Sequence, residues 1–293
     1  MRTRNVFLAR RVLSLVVFVA VIVAVVAVVH RLGRGSPAPV KPRVAPTVNV
    51  TIIPGHSRQQ AQKVLHESGI RGSYLRATVS SPLLDPTQYG APANTPSLEG
   101  FLWPDTYNLH RPVKIKALVA DQLTAFKQHF AQVNLNYATS KNLTAYDVLK
   151  IASLLTEESM KPGDAPKVAS VIYNRLRLGM DLGLDSTVAY ATGNYGNLTE
   201  RDLHSRSPWN TTNHPGLPPT PIDSPDIAAI QAAAHPSHTD YVYFINKVCG
   251  GGALRFTVSY SQFLVWSDDW NAAVAKAARH GGNAEFGCKN GKP

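Results

Sequence analysis

Two adjacent glutamates, Glu157 and Glu158, occupy different faces of one predicted helix. The helix has an apolar stripe that includes Val148, Ile151 and Leu155, spaced at i, i+3 and i+7. At about 100° per residue, Glu158 lies about 20° beyond Ile151, whereas Glu157 points about 180° from Val148. A carboxyl group half-buried among aliphatic side chains has its charged form disfavoured, which raises its pKa. Glu158 is therefore predicted to hold a proton near neutral pH and to act as a general acid.

The position of Glu158 on the helix leaves a second interpretation open. A glutamate at a helix end can also be held in a structural ion pair. Arg175 and Lys161 are the cations that would serve as its partner. Catalysis and ion pairing both remain compatible with the spacing alone.

A second group of polar residues follows the helix on short, partly proline-rich segments. Hydroxyls, amides and the indole of Trp209 suit an uncharged sugar chain, which offers hydroxyls for hydrogen bonds and apolar ring faces for stacking. The alternative is that these segments are ordinary turns, with Asp185 capping a helix. The residues predicted to orient a glycan are Asp185 and Thr187, in a turn after Met180, and Ser207, Asn210 and Thr211.

The helix that carries Glu158 has a clear start signal. Thr144 is its predicted N-cap, and Asp147 three residues later completes a capping-box arrangement. A second helix is expected from about Asp164, with Pro166 in its first turn, to a stop at Gly179. These two helices are expected to position the candidate acid.

The remaining elements define a helix-rich α+β fold. Alternating apolar residues and turn signals predict strands and helices before and after the central helices. Residues 72–97 are predicted to form a loop with uncertain strands. The predicted elements are a strand at 49–53, helices at 57–67 and 115–133, strands at 241–246 and 255–258 around a glycine turn at 250–252, and a last helix at 261–280.

The basic charge of the chain is concentrated at its start. The formal net charge is +11, but residues 1–43 carry eight basic residues and no acid, which leaves 22 basic against 19 acidic residues in the other 250. A nucleic-acid binder carries its positive charge on the folded domain. The charge distribution therefore argues against a nucleic-acid partner and favours a membrane.

An apolar run at 12–29 lies between the basic residues and contains Ser14 as its one polar member. The length of this run is near the lower limit for a helix that spans a bilayer, so we predict a transmembrane helix at 12–30. A cleaved signal peptide is the alternative, although the run exceeds the usual apolar length and has no clear small-residue cleavage site before His30. Basic residues on both sides leave the orientation undecided.

Several other classes of site lack their sequence signals. His235 and His238 are separated by Pro236, which argues against a helical metal pair, and we expect no metal and no other cofactor. The chain contains no G-x-S-x-G and no phosphate-binding G-x-x-x-x-G-K-[ST] motif. Cys249 and Cys288 could form one disulfide, which would require an oxidising compartment.

Several segments together resemble the YceG-like (MltG) endolytic murein transglycosylases, which are membrane-anchored bacterial enzymes that cut peptidoglycan glycan strands. The likeness covers most of residues 47–265. The matching segments, in chain order, are LEGFLWPDTY at 98–107, IASLLTEES at 151–159, NRL at 174–176, SPWNT at 207–211 and GLPP at 216–219.

The resemblance assigns the catalytic role to Glu158, because the first glutamate of the family motif falls on Thr156 and the second on Glu158. The position on the helix selects the same residue. The chain departs from the family pattern at Gly183, where a glutamine is usual, at Ser186, where a proline is usual, and at Leu254, where a histidine is usual. These departures affect expected substrate contacts more than the acid.

The resemblance also implies an organisation and a location. The expected parts are a cytoplasmic tail at 1–11, the transmembrane helix at 12–30, a proline-rich linker at 31–46, a LysM-like subdomain at 47–110 and a catalytic domain at 111–293. The enzyme would be anchored once in the bacterial cell membrane with its catalytic domain outside the cytoplasm. Its expected partners are glycan strands and, as the family suggests, peptidoglycan synthases.

The implied reaction is cleavage of MurNAc–GlcNAc bonds with formation of 1,6-anhydroMurNAc ends, and Glu158 would act first as acid and then as base. Two alternatives remain. One is a glycoside hydrolase in which Glu158 and Asp185 flank the bond and water attacks. The other is a protein that binds the wall without cutting it, which the departures at Thr156 and Leu254 motivate.

Overall fold

The structure is a computed structural model that describes residues 2–33, 46–159, 161 and 163–280. The chain divides into two compact units, Met1–Ala45 and Pro46–Pro293. The predicted partner of Cys249, Cys288, and the predicted helix cap Gly281 lie outside the described residues.

The described residues of the first unit, 2–33, contain one helix, α1, Arg2–Leu32. Its segment Leu13–Leu32 has a mean hydropathy of 3.0, and none of it is buried in the protein. Twenty residues of α-helix are about 30 Å long, which matches the apolar thickness of a bilayer. By length and composition α1 can therefore cross a membrane, as the apolar run predicted, and it extends two residues into the predicted linker.

The second unit is a mixed, helix-rich α+β fold. Its described residues form two separate two-stranded antiparallel sheets, β1–β2 and β3–β4. Its elements are β1 Thr47–Ile52, α2 Arg58–Glu67, α3 Tyr74–Ala77, a 3-10 turn Pro86–Tyr89, β2 Asp105–His110, α4 Ile115–Phe130, α5 Asn136–Ser140, α6 Ala145–Glu158, α7 Ala165–Leu178, α8 Asp185–Thr192, α9 Glu200–Leu203, α10 Ile227–Ala234, β3 Tyr243–Asn246, β4 Leu254–Thr257 and α11 Tyr260–His280.

The helix that ends at Glu158 begins as predicted. The Thr144 hydroxyl accepts a hydrogen bond from the Asp147 backbone N–H at 3.1 Å, and the Asp147 carboxylate accepts one from the Thr144 backbone N–H at 3.0 Å. This capping box satisfies two N–H groups that a helix start otherwise leaves without partners. Along α6 the side chains from Ile151 to Leu155 are all buried, so the helix is embedded in the core.

One hydrophobic core runs through the second unit, from β1 to α10. Phe101, in the segment before β2, lies at its centre. Its ring is 5.2 Å from that of Phe126 on α4 and is stacked 5.6 Å from that of Tyr146 on α6. The core therefore continues across residue 110, the predicted boundary between the LysM-like subdomain and the catalytic domain.

The structure also corrects several predicted elements. Residues 72–97 contain α3 and a 3-10 turn rather than a loop with strands. The residues from Asp185 to Thr187, predicted as a turn, form the first turn of α8. Four further elements, β2, α5, α9 and α10, had no counterpart in the prediction. The remaining helices and strands agree with the predicted ranges to within a few residues.

Gly100 holds the Leu98–Tyr107 segment against the chain before α10. Its φ is +85°, a conformation that favours glycine, and an added Cβ would come within 2.6 Å of the Pro221 Cβ. Both the backbone conformation and the close approach therefore require glycine. Gly69 has a similar φ of +72°, but an added Cβ there would meet no atom within 4 Å.

These two glycines provide a matched test of the packing. We expect Gly100→Ala to lower the free energy of unfolding by about 2–4 kcal/mol, because strain and overpacking add together. Gly69→Ala should lower it by only about 1 kcal/mol, the cost of the positive φ alone. Urea denaturation of both variants measures the difference. Equal losses would contradict the close packing of Gly100 on Pro221.

Candidate active site

Glu158 is the last residue of α6 and is half-buried. Its neighbour Glu157 is exposed. The two carboxyl groups therefore have the different environments that the position on the helix predicted. Thr156, where the family motif has a glutamate, bonds its hydroxyl back to the carbonyl of Ala152 at 3.0 Å.

Burial raises the pKa of the Glu158 carboxyl to about 7. The charges of Asp185 and Glu157 raise this pKa further, whereas hydrogen bonds from Ser186 oppose the rise. The Ser186 hydroxyl donates to Glu158 Oε1 at 2.8 Å. A carboxyl group with this pKa is partly protonated at neutral pH, which is what a general acid needs.

The ion-pair interpretation of Glu158 does not hold in the described part of the chain. The three ion pairs found there join Lys63 to Glu67, Asp147 to Lys150 and Asp164 to Lys167. The Arg175 side chain instead donates hydrogen bonds to the carbonyls of Leu182 and Val242.

Two clefts meet at Glu158. The hairpin cleft, about 560 Å³, lies beside the β3–β4 hairpin, and the α8 cleft, about 590 Å³, lies beside α8. Glu157, Glu158 and Asp185 line both clefts. An extended polymer that occupied both clefts would therefore pass the Glu158 carboxyl in mid-chain.

The other lining residues differ between the clefts. The hairpin cleft is also lined by Arg175, Gly183, Leu184, Phe244, Ile245, Asn246, Leu254, Phe263, Trp270 and Asn271. The α8 cleft is also lined by Ser186, Ala189, Gly196, Asn197, Leu198 and Leu203. Aromatic rings are thus concentrated on the hairpin side, side-chain amides line both clefts, and the Ser186 hydroxyl lines the α8 cleft.

Of the five residues predicted to orient a glycan, Asp185 is exposed and lines both clefts, and the other four line neither cleft. Thr187, Asn210 and Thr211 are fully buried, and Ser207 is half-buried outside the lining of either cleft. The hydroxyls of Thr187 and Thr211 are 2.9 Å apart. This buried pair connects the start of α8 to the SPWNT segment and so helps to hold Ser186 beneath Glu158.

The segment of Asn174 and Arg175 positions one wall of the hairpin cleft. The Asn174 amide donates to the carbonyls of Thr239 and Tyr241 at 2.8 and 3.0 Å. The Arg175 guanidinium donates to the Val242 carbonyl at 2.7 Å and lies over the Tyr243 ring. These hydrogen bonds hold the segment that precedes β3 against α7.

Sequence reasoning missed four residues around Glu158. It did not assign a role to the Ser186 hydroxyl, and it did not place Phe263, Trp270 or Asn271 of α11 in a cleft. The amphipathic pattern of α11 predicts a helix, but it does not identify the surface on which the helix packs. The aromatic residues at 263 and 270, seven apart on one helical face, were the available signal.

Comparison with known proteins decides the family. A model of the YceG-like family matches residues 24–267. The chain belongs to the YceG-like family. A crystal structure of a YceG-like protein from Listeria monocytogenes has the same fold, with a TM-score of 0.65, 26% sequence identity and coverage of 75% of each chain. Membership confirms the resemblance carried by the motifs and the mixed α+β class.

Curated relatives of the chain carry a functional name. The endolytic murein transglycosylase of Bacillus subtilis strain 168 is 36% identical over 166 residues, which are 55% of this chain and 44% of the relative. The protein of the same name from Streptococcus pneumoniae strain R6 is 36% identical over 162 residues, 53% of this chain and 29% of the relative. The chain thus matches less than half the length of these curated relatives.

The two neighbours of Glu158 on α8 should move its pKa in opposite directions. Ser186→Ala removes a hydrogen bond that favours the charged carboxylate, so the pKa of Glu158 should rise. Asp185→Asn removes a negative charge, so the pKa should fall. Titration of the Glu158 side-chain carbon by NMR measures both shifts. A change of the same sign in both variants would contradict the assigned causes.

Proposed function

We propose that the protein is an endolytic lytic transglycosylase of peptidoglycan. It cleaves MurNAc–GlcNAc bonds within glycan strands and leaves 1,6-anhydroMurNAc ends. The observation that carries the proposal is the place of the Glu158 carboxyl, bonded by the Ser186 hydroxyl, at the meeting point of two clefts. Burial there raises its pKa to about 7, which suits a general acid. The functional name of the Bacillus and Streptococcus relatives supports the same activity.

The reaction needs only one carboxyl group. Protonated Glu158 donates its proton to the oxygen that links MurNAc to GlcNAc, and the bond from the MurNAc anomeric carbon to that oxygen breaks. The Glu158 carboxylate then accepts the proton of the MurNAc 6-hydroxyl, whose oxygen bonds to the anomeric carbon and closes the anhydro ring. Glu158 ends protonated, as it began, and no water is consumed.

The neighbouring residues have separate roles in this proposal. Asp185 lines the groove and contacts the glycan. The Ser186 hydrogen bond keeps the Glu158 carboxyl oriented towards the meeting point of the clefts. The buried Thr187–Thr211 pair, together with Ser207 and Asn210 in the adjoining segment, acts as a positioning group for the start of α8 rather than through direct contact with sugar.

The location follows from the same proposal. Glycan strands of peptidoglycan lie outside the cytoplasm, so α1 would anchor the protein in the cell membrane with residues 1–11 inside and the second unit outside. Residues 47–110 would form a LysM-like subdomain beside a catalytic domain at 111–293. A strand, two helices and a return strand paired with the first support such a subdomain. Peptidoglycan synthases would be its protein partners.

A hydrolase is the second candidate, because Asp185 lies near Glu158 and both carboxyl groups line the clefts. In that reaction the second carboxylate would act as nucleophile or activate a water molecule. The products would then have reducing ends instead of anhydro ends. Mass spectrometry of digested peptidoglycan separates the two reactions.

We expect Glu158→Gln to reduce the formation of anhydro ends by roughly 10²–10⁴-fold, because the amide can neither donate nor accept the proton. Mass spectrometry of products from purified peptidoglycan measures the loss. Glu67→Gln, which changes an exposed glutamate at the end of α2, is the control and should retain activity. Full activity of Glu158→Gln would contradict the proposal, and binding without turnover by the wild type would favour a non-catalytic wall protein.

Trp270 of α11 is expected to stack on a sugar ring in the hairpin cleft. Trp270→Ala should raise KM for soluble glycan strands by roughly three- to tenfold and change kcat less, because stacking is lost while Glu158 is intact. Trp270→Phe should recover most of the affinity. Steady-state kinetics of the three proteins provides the test, and a lower kcat with unchanged KM would contradict the stacking role.

A further inference from the structure

Glu99 is a buried carboxyl group that joins three segments of the second unit. Its carboxyl oxygens accept hydrogen bonds from the backbone N–H of Arg58, at the start of α2, at 3.1 and 3.2 Å. The Tyr190 hydroxyl, on α8, donates to Glu99 Oε2 at 3.2 Å. Glu99 itself is only 2% exposed. The chain before β2 is therefore tied both to the start of α2 and to α8, the helix that carries Ser186 beneath Glu158.

Packing alone does not account for a carboxyl group at this position. In the described part of the chain, Glu99 belongs to no ion pair. The Arg58 guanidinium donates instead to the Thr78 hydroxyl at 2.7 Å and to the Leu75 carbonyl. A buried carboxyl group without a cation costs free energy that an apolar side chain would not cost. What the carboxyl group adds over an apolar side chain is an acceptor for its two donors.

Ser186 and Tyr190 lie on the same face of α8, one turn apart. Residues at i and i+4 are neighbours on the surface of a helix. Ser186 donates to Glu158 at 2.8 Å, whereas Tyr190 reaches the buried carboxyl group. Asp185 and Ala189, also one turn apart, line the α8 cleft. The rotation of α8 about its axis thus decides both the hydrogen bond to Glu158 and which residues face the cleft.

The loop that follows α8 is tied to the same part of the chain. The Tyr195 hydroxyl donates to the Ser57 hydroxyl at 3.3 Å, and Ser57 is the N-cap of α2. Residues 196–198, which come next, line the α8 cleft. The start of α2 is thus connected to α8 through Glu99 and to the cleft wall after α8 through Tyr195.

We propose that Glu99 is a positioning residue of the reaction, which fixes the rotation of α8 through Tyr190 and so keeps the Ser186 hydroxyl on the Glu158 carboxyl. This inference rests on the proposed function, since it concerns the acid of that reaction. Glu99 lines neither cleft, so it acts through α8 rather than on the sugar. The geometry of the active site would thus depend on a residue of the expected LysM-like subdomain at 47–110.

Tyr190→Phe removes one hydroxyl from this connection and is the first variant to test. In the full-length protein in detergent it should raise the pKa of Glu158, because the Ser186 hydrogen bond is weakened. Ser186→Ala should raise this pKa as well. The double variant should show no shift beyond that of Ser186→Ala, since both changes act through the same hydrogen bond. Titration of the Glu158 side-chain carbon by NMR measures the three shifts.

Tyr107→Phe is the matched control. Its hydroxyl donates to the Trp103 carbonyl at 2.7 Å, outside the lining of either cleft. The control should lower the melting temperature about as much as Tyr190→Phe and leave the pKa of Glu158 unchanged. An unchanged pKa of Glu158 in Tyr190→Phe, or shifts that add in the double variant, would overturn the positioning role of Glu99.

The rate at which anhydro ends form provides a second readout. Tyr190→Phe should lower kcat by roughly three- to tenfold, the effect of losing one neutral hydrogen bond, and change KM little because the hairpin cleft is intact. Glu99→Leu should lower kcat further, because both donors lose their acceptor. Burial raises the pKa of Glu99 to about 8, so the amide of Glu99→Gln resembles the protonated form and should retain more activity. Equal losses in these two Glu99 variants would contradict the proposal.

The two readouts separate failure of this inference from failure of the proposed function. If the wild type forms no anhydro ends, the proposed function fails, and the NMR shifts still decide whether Glu99 positions Ser186 against Glu158. If the wild type forms them, and Tyr190→Phe changes neither the pKa of Glu158 nor kcat, the function stands and the inference fails.

Discussion

The burial of one carboxyl group at the end of α6 is the constraint on which the site depends. Among the described residues, one side-chain hydrogen bond, from the Ser186 hydroxyl, holds Glu158 there, and the negative charges of Asp185 and Glu157 lie nearby. Burial raises the pKa of the Glu158 carboxyl to about 7, well above the usual value for a glutamate. The position of Glu158 at the C-terminal end of α6 also disfavours its charged form, because the exposed carbonyls of a helix end repel a negative charge. The same side chain can therefore give up a proton and take it back near neutral pH.

The rest of the fold holds that carboxyl between two clefts. The core continues through α4, α6 and the segment around Phe101, and this segment approaches Pro221 closely through Gly100. The Thr187–Thr211 pair fixes the start of α8 beneath Glu158, and Arg175 fastens the entry to the hairpin. Thr187, Thr211 and Arg175 thus act by holding the walls of the site.

The sequence predicted the features that depend on local pattern. The capping box at Thr144 and the inward position of Glu158 follow from spacing along one helix. Two missed elements have weak patterns, since β2 buries little more than Leu109 and α10 is apolar on nearly every side. The buried pairing of Thr187 with Thr211 and the place of Trp270 in the hairpin cleft depend on contacts between distant parts of the chain, which periodicity does not encode.

In the proposed reaction the sugar's own hydroxyl, and not water, displaces the leaving group. Digestion of purified peptidoglycan in water enriched in oxygen-18, followed by mass spectrometry of the new chain ends, tests it most directly. We expect the new MurNAc ends to contain no oxygen-18, because the anhydro ring closes within the sugar. Incorporation of one oxygen-18 atom into each new end would contradict it, since that result requires attack by water.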